Sequence, residues 1–209
     1  CGVISAYRSV LKDGFRPDLI HAHFYPAALP AVILGKLFGV PVLLTEHSAS
    51  FAVGLTGVTK LEAKFSLGRV RLLIAVSGSL RDQMESCGVR GEFRVIPNPV
   101  DTDTFFPNPP QRPSPGEKKR ILTVARLHPI KELPTLLRAL AVLNRSRDDF
   151  LLDIVGDGES RPDLESLAHR LGLQRRVTFH GFQPTATVAG FMRRSNVFVL
   201  SSRSENCPC

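Results

Sequence analysis

ILTVARLHPIKELPTLLRAL (residues 121–140) changes its hydrophobic period part-way along. Ile121 to Val124 are apolar or β-branched at every position, as in a strand covered on both faces. Leu133, Leu136, Leu137 and Leu140 then recur at helical spacing. Arg126 and Lys131 lie between the two runs, five positions apart. A strand feeding a helix through a short polar loop is one βα unit. The pattern predicts a strand over Arg120–Val124 and a helix over Glu132–Arg145.

The same alternation continues in both directions. Downstream, Phe150–Val155, Arg176–His180 and Val197–Leu200 read as strands, and Asp163–Leu171 and Thr187–Arg193 as helices. Upstream, Asp18–His23, Pro41–Thr45, Arg71–Val76 and Phe93–Ile96 read as strands, with helices over Pro26–Phe38 and Ser79–Ser86. Most of the strands are apolar almost throughout, which fits parallel sheets in a doubly wound α/β fold. PNPPQRPSPGEKK (107–119) breaks the rhythm. Its five prolines remove backbone donors and fix φ, so it reads as a linker. The expected organisation is therefore two Rossmann-like units, 1–106 and 119–209, joined by 107–118.

Composition sets limits on this. A hydrophobic share of 43% over 209 residues is enough for a packed core and argues against disorder. The longest apolar run, Ala27 to Leu34, contains Pro30 and is about half the length that spans a bilayer. No secretory leader pattern is present, so a cytoplasmic protein is expected. Cys1, Cys87, Cys207 and Cys209 form no disulfide framework and read as free thiols. With Cys1 in place of Met and an end just past a strand-like run, the sequence reads as an internal piece of a longer chain.

The net charge is +8. Residues 1–110 hold 11 basic and 9 acidic side chains, and residues 111–209 hold 16 and 10, so the excess lies in the second half. A basic surface attracts phosphate in nucleotides, nucleic acids or anionic lipids, and charge alone does not choose among them. Neither aromatic-rich strands nor basic helices with groove-reading spacing are present, which speaks against nucleic acid.

Ligands of such sheets bind beyond the carboxyl ends of the strands. That rule selects His21 and His23, Glu46 and His47, Ser77, Pro97–Asp101, Arg126 to Lys131, Gly156–Gly158, Gly181 and Ser201–Glu205. Basic side chains at a helix N-terminus oppose its dipole, so Arg126 and Lys131 suggest an anion between them. Arg offers a fork to phosphate oxygens and Lys a point charge. By spacing alone the pair fits two solvated side chains equally well. Gly156 and Gly158 flank Asp157 after a buried strand, which suits either close approach of a ligand or a plain turn. His47 follows the second strand and could donate to a substrate or serve the fold. His21 and His23 share a strand face; with no third ligand placed, no metal site is expected. Lys60–Arg71 carries four basic residues among apolar ones. That pattern fits a solvated helix face or docking on an anionic membrane.

In order, DLIHAH (18–23), TEH (45–47), IAVS (74–77), VIPNPVD (95–101), LTVARLHPIKE (122–132), LLDIVGDGE (151–159), RVTFHGF (176–182) and VFVLSSRSE (197–205) resemble glycosyltransferase family 4, a GT-B group of retaining enzymes. The resemblance covers nearly the whole chain. It implies two Rossmann-like domains, both incomplete here, and a nucleoside-diphosphate sugar donor with a carbohydrate or lipid-linked acceptor. It also implies roles. Arg126 and Lys131 would hold the donor diphosphate without a metal or other cofactor. His47 would lie near the sugar and phosphates. Glu205 would be the first acid of a Glu-x7-Glu motif, with the second beyond Cys209. Backbone at Gly181 and Phe182 would flank the base. Ala125 and Glu132 stand where the family often has glycine, and Asn98-Pro99 replaces a frequent Asn-Gly. A sugar-nucleotide epimerase or phosphorylase of the same fold, or a non-catalytic nucleotide-binding piece, are the alternatives. The piece alone is expected to have little activity.

Overall fold

The computed structural model describes residues 2–48, 50–107 and 116–207, and the chain divides into two units, Cys1–Pro99 with Glu205–Cys209, and Val100–Ser204. Most of the expected linker, residues 108–115, lies outside the described residues, as do Cys1 and Cys209.

In the first unit a helix α1 (Gly2–Lys12) precedes four strands: β1 (Ile20–His23), β2 (Val42–Glu46), β3 (Leu72–Ala75) and β4 (Phe93–Val95). They form one parallel sheet in the order β1-β2-β3-β4. The connections are α2 (Ala28–Phe38), then α3 (Ser50–Val53) and α4 (Gly57–Leu67), then α5 (Gly78–Ser86). Ser77 starts α5 by accepting a hydrogen bond from the Leu80 N–H at 3.2 Å, a side-chain cap on an otherwise unpaired donor. Leu44, Leu73 and Ala75 of the strands pack with Ala31, Leu67, Leu80 and Met84 of the helices. The sequence reading passes over α1, although Val3, Ile4, Tyr7, Val10 and Leu11 recur at helical spacing. The Tyr7 ring lies 4.5 Å from that of Phe38.

The second unit runs β5 (Lys119–Val124), α6 (Leu133–Leu143), β6 (Phe150–Val155), α7 (Arg161–Arg170), β7 (Val177–Gly181), α8 (Thr185–Arg194) and β8 (Val197–Phe198). Its sheet is parallel in the order β7-β6-β5-β8. Leu133, Leu136, Leu137, Leu140, Leu164 and Ala168 cover one face over Leu152 and Ile154. Phe191 of α8 covers the other over Leu122 and Val155. Helices on both faces explain the unbroken apolar strands. The exception is Asp153, buried in β6, whose carboxylate lies 3.2 Å from Arg120 Nη1 and 2.7 Å from His180 Nε2. A charge out of water needs such partners.

Three placements differ from the sequence reading. Residues 100–106 fall in the second unit, where Arg193 donates to the Thr104 carbonyl at 3.2 Å and stacks on Phe106. Glu205 falls in the first unit, because its neighbours Asn206 and Cys207 bond and pack there. Lys131 ends a separate 3-10 turn, Pro129–Lys131, and Glu132 at φ 49° breaks it from α6. The chain order of the second unit also contains a reversal. β6 and β7 extend to one side of β5, and β8 returns to the other. The loops after β5 and β8 therefore flank a topological switch point, where ligands of open α/β sheets bind.

Candidate nucleotide-sugar site

The loop after β5 is held rigidly from the side of β6. Ala125 N–H donates to the Val155 carbonyl at 3.0 Å, Leu127 N–H to Asp157 O at 2.9 Å, and Ser160 N–H to Leu127 O at 3.0 Å. This contact is so close that only glycine fits opposite it. A Cβ at Gly156 would stand 1.9 Å from Ala125 O, and one at Gly158 2.5 Å from Leu127 O. Both glycines thus serve the approach of two backbone loops, at the residues on either side of Arg126, and the ligand approach expected from the sequence is not needed to explain them.

Arg126 Nη2 lies 3.6 Å from one oxygen of Glu159, and His128 Nε2 lies 3.4 Å from the other. His128 Nδ1 accepts from the Ile130 N–H at 3.2 Å, so the network assigns the ring proton to Nε2, facing the carboxylate. Glu159 is held below the usual carboxylate range, first by its own backbone N–H and then by His128 and Arg126. A carboxylate already occupies an anion position on this loop.

Asp157 accepts from the Gly158 N–H at 2.8 Å and pairs with Arg161 at 2.9 Å, and both interactions lower its pKa. Gly181, at φ 68°, joins this cluster: its carbonyl accepts from the Gly156 N–H at 2.8 Å. Phe182 follows with 81% of its surface exposed, an aromatic face next to the loops.

From the β8 side, Ser201 Oγ donates to the Lys131 carbonyl at 2.8 Å and Arg203 N–H to Ile130 O at 2.9 Å. Arg203 Nη2 also reaches Glu132 Oε1 at 2.6 Å. The turn bearing Lys131 is thus clamped by the loop across the switch point.

In the first unit, β1 and β2 end in three histidines. His23 Nδ1 lies 3.1 Å from His47 Nε2, and His21 Nε2 lies 2.8 Å from Thr45 Oγ1. Burial, and then the charges of His23 and His47, push the His21 pKa below its usual value. Glu46 is fully buried and accepts the backbone N–H groups of Tyr25, His47 and Ser48 at 2.7, 2.9 and 2.7 Å. Asn206 donates to the carbonyls of His47 and Ser48 at 3.2 and 2.5 Å. Among the described residues no group of three or more His, Cys, Asp or Glu is arranged to hold a metal ion.

Arg126, Lys131, Gly156, Gly158, Gly181 and Phe182 therefore gather at one end of the second sheet, and His47 and Glu205 belong to the first unit. His128, Glu159, Ser201 and Arg203 were given no individual role by sequence reasoning. His128 and Glu159 lie inside the quoted motifs, but their pairing crosses two loops.

Two parallel-sheet α/β units, the second with a polar loop cluster at its switch point, have the architecture of the GT-B type. The chain belongs to the glycosyl transferases group 1 family, whose model matches residues 105–209, while the Glycosyltransferase Family 4 model matches residues 2–104. It is 27% identical over 200 residues to a glycogen synthase of Mycobacterium tuberculosis, covering 91% of this chain and 48% of that protein. It is 28% identical over 196 residues to a GDP-mannose-dependent alpha-(1-6)-phosphatidylinositol monomannoside mannosyltransferase of the same species, covering 88% and 51%. Its fold matches that of Anabaena HepE crystallised with UDP, with a TM-score of 0.80 and 21% identity over 97% of this chain and 57% of that one. The chain spans about half the length of the curated relatives it matches.

Proposed function

We propose that the protein moves a sugar from a nucleoside-diphosphate donor to a hydroxyl acceptor, with retention at the anomeric carbon, in cell-surface glycan or glycolipid synthesis. The observation that carries this is the Arg126–Lys131 loop, set at the switch point of its sheet and pinned by the loops on either side. Negative charge grows on the diphosphate as it leaves. Arg126 and Lys131 stabilise it from positions fixed beforehand, which is where electrostatic catalysis is strongest. The positive charge comes from these side chains, and no metal or other cofactor is assigned. Gly181 and Phe182 flank the base, and His47 and Glu205 are assigned to the sugar. The GDP-mannose dependence named for one relative and the UDP named with HepE support a nucleotide-sugar donor.

A lipid-linked acceptor would bring the protein to a membrane, and α4 offers a surface for it. Val58, Leu61 and Phe65 share its outer face at 80%, 67% and 51% exposure. The same stretch of sequence carries Lys60, Lys64, Arg69 and Arg71, and the Arg69 guanidinium sits 3.6 Å over the Phe65 ring. Among the described residues no helix is long and apolar enough to cross a membrane. Peripheral contact with anionic lipid, on the cytoplasmic face, is the corresponding proposal.

The test uses the whole protein. It is incubated with UDP-, GDP- and ADP-sugars, and nucleotide release is measured with and without extracted lipid and glycan acceptors. Release that depends on acceptor is expected, and Lys131→Ala should lower kcat by about 10²–10³ while the melting temperature holds. Acceptor-independent turnover would favour an epimerase-like relative. No turnover with any donor would leave only nucleotide binding.

A further inference from the structure

We propose that His23 is a positioning residue that decides which nitrogen of His47 faces a ligand. It rests on the assignment of His47 to the donor sugar. His23 ends β1 in register with Thr45 of β2, and His47 stands just beyond the end of β2. The His21 and His23 rings are 4.4 Å apart, and those of His23 and His47 are stacked at 5.4 Å with 20° between planes. Phe24 tilts against His47 at 5.3 Å and carries a φ of 65°, a strained backbone angle for an aromatic residue.

The His47 backbone is held on both sides of its Cα, through the peptide before it and the peptide after it. Its N–H donates to Glu46 Oε1 at 2.9 Å, and its carbonyl accepts from Asn206 at 3.2 Å. With the main chain held and Nε2 facing His23 Nδ1 at 3.1 Å, Nδ1 is the ring nitrogen left for a ligand. A neutral imidazole carries one N–H. When His23 Nδ1–H donates, His47 must keep its proton on Nδ1 and so offers a donor. Ionised phosphate oxygens only accept, so an Nδ1–H aimed at the donor diphosphate requires that His23 donate and His47 accept in the shared bond. An isolated histidine would be free to take either tautomer.

The His21 ring packs on that of His23, and Glu46 holds the His47 backbone N–H. Glu46 has both carboxylate oxygens occupied by backbone N–H groups. When both rings are protonated, two donors face each other and the bond is lost.

The experiment is ring-¹⁵N histidine NMR, paired with donor turnover against pH, on the whole protein and its variants. In the unsubstituted protein His47 should be protonated on Nδ1. His23→Phe, which keeps the ring and removes the donor, should release His47 to the Nε2-protonated form and lower kcat about a hundredfold. His23→Gln, which restores an N–H, should return the Nδ1 form and most of the rate. The proposal is overturned by Nε2 protonation of His47 in the unsubstituted protein, or by an unchanged His47 tautomer in His23→Phe. If His47→Ala abolishes turnover and His23→Phe does not reduce it, positioning alone fails. If neither change matters, the assignment of His47 to the sugar fails with it.

Discussion

Gly156 carries a φ of 130°, a conformation L side chains rarely adopt, and its missing Cβ leaves room for the Ala125 carbonyl. Gly156→Ala must therefore strain the backbone and push apart the loop that holds Arg126. The expected cost is about 3 kcal/mol of unfolding free energy, read by urea denaturation. A loss under about 0.5 kcal/mol would show that the two loops are not locked together. Gly158 meets Leu127 in the same way, so the two glycines act as one device. That device was only half legible in the sequence. Two glycines around an Asp after a buried strand announce a tight loop, but the neighbour that requires them lies some thirty residues earlier. Glu46 makes the same point. It stood out as polar at a strand end, and its three backbone donors are the next two residues, His47 and Ser48, and the distant Tyr25.

At the level of elements, α4 is apolar on two sides. Ala63 and Leu67 are buried in the core, and Val58, Leu61 and Phe65 are exposed, with Arg69 over the Phe65 ring. A soluble helix normally keeps one apolar stripe. If the outer stripe meets anionic lipid, the whole protein should co-sediment with phosphatidylglycerol vesicles and not with phosphatidylcholine. Binding should weaken with salt and fall about tenfold in Leu61→Ser with Phe65→Ser. Equal sedimentation with both vesicle types, or none, would sink the membrane contact. Size-exclusion chromatography of the same variants would show whether a second copy covers the stripe instead. The strands were readable because their apolar runs are continuous, whereas α3 was missed and α4 was read only as a possible helix face within Lys60–Arg71. Polar, glycine-punctuated stretches between strands blur a helical period, as in Gly54 to Gly68.

Across the whole molecule, His21, Glu159 and Asp157 act in the same direction with pH. His21 is held below 6.5, so the folded chain binds fewer protons there than the unfolded one. Glu159 and Asp157 are held below 4.5 and 3.8. In each case stability rises with pH wherever the unfolded state holds the extra proton. The melting temperature should be level above about pH 7, fall once as pH drops below 6.5, and fall again below 4.5, the carboxylate contribution being lost as pH passes through the lower folded values. A melting temperature that rises between pH 7 and 5 would contradict this. What the sequence by itself determined was the alternation of strand and helix, the family, and the loops that hold Arg126, Lys131, His47 and Glu205, because hydrophobic period and motif order are local properties of the chain. Only the tertiary structure decided that β8 returns beside β5 and clamps the Lys131 turn, that Glu159 bridges Arg126 and His128, and that His23 meets His47. Strand order and contacts between loops depend on which apolar faces pack together, and no local pattern encodes that.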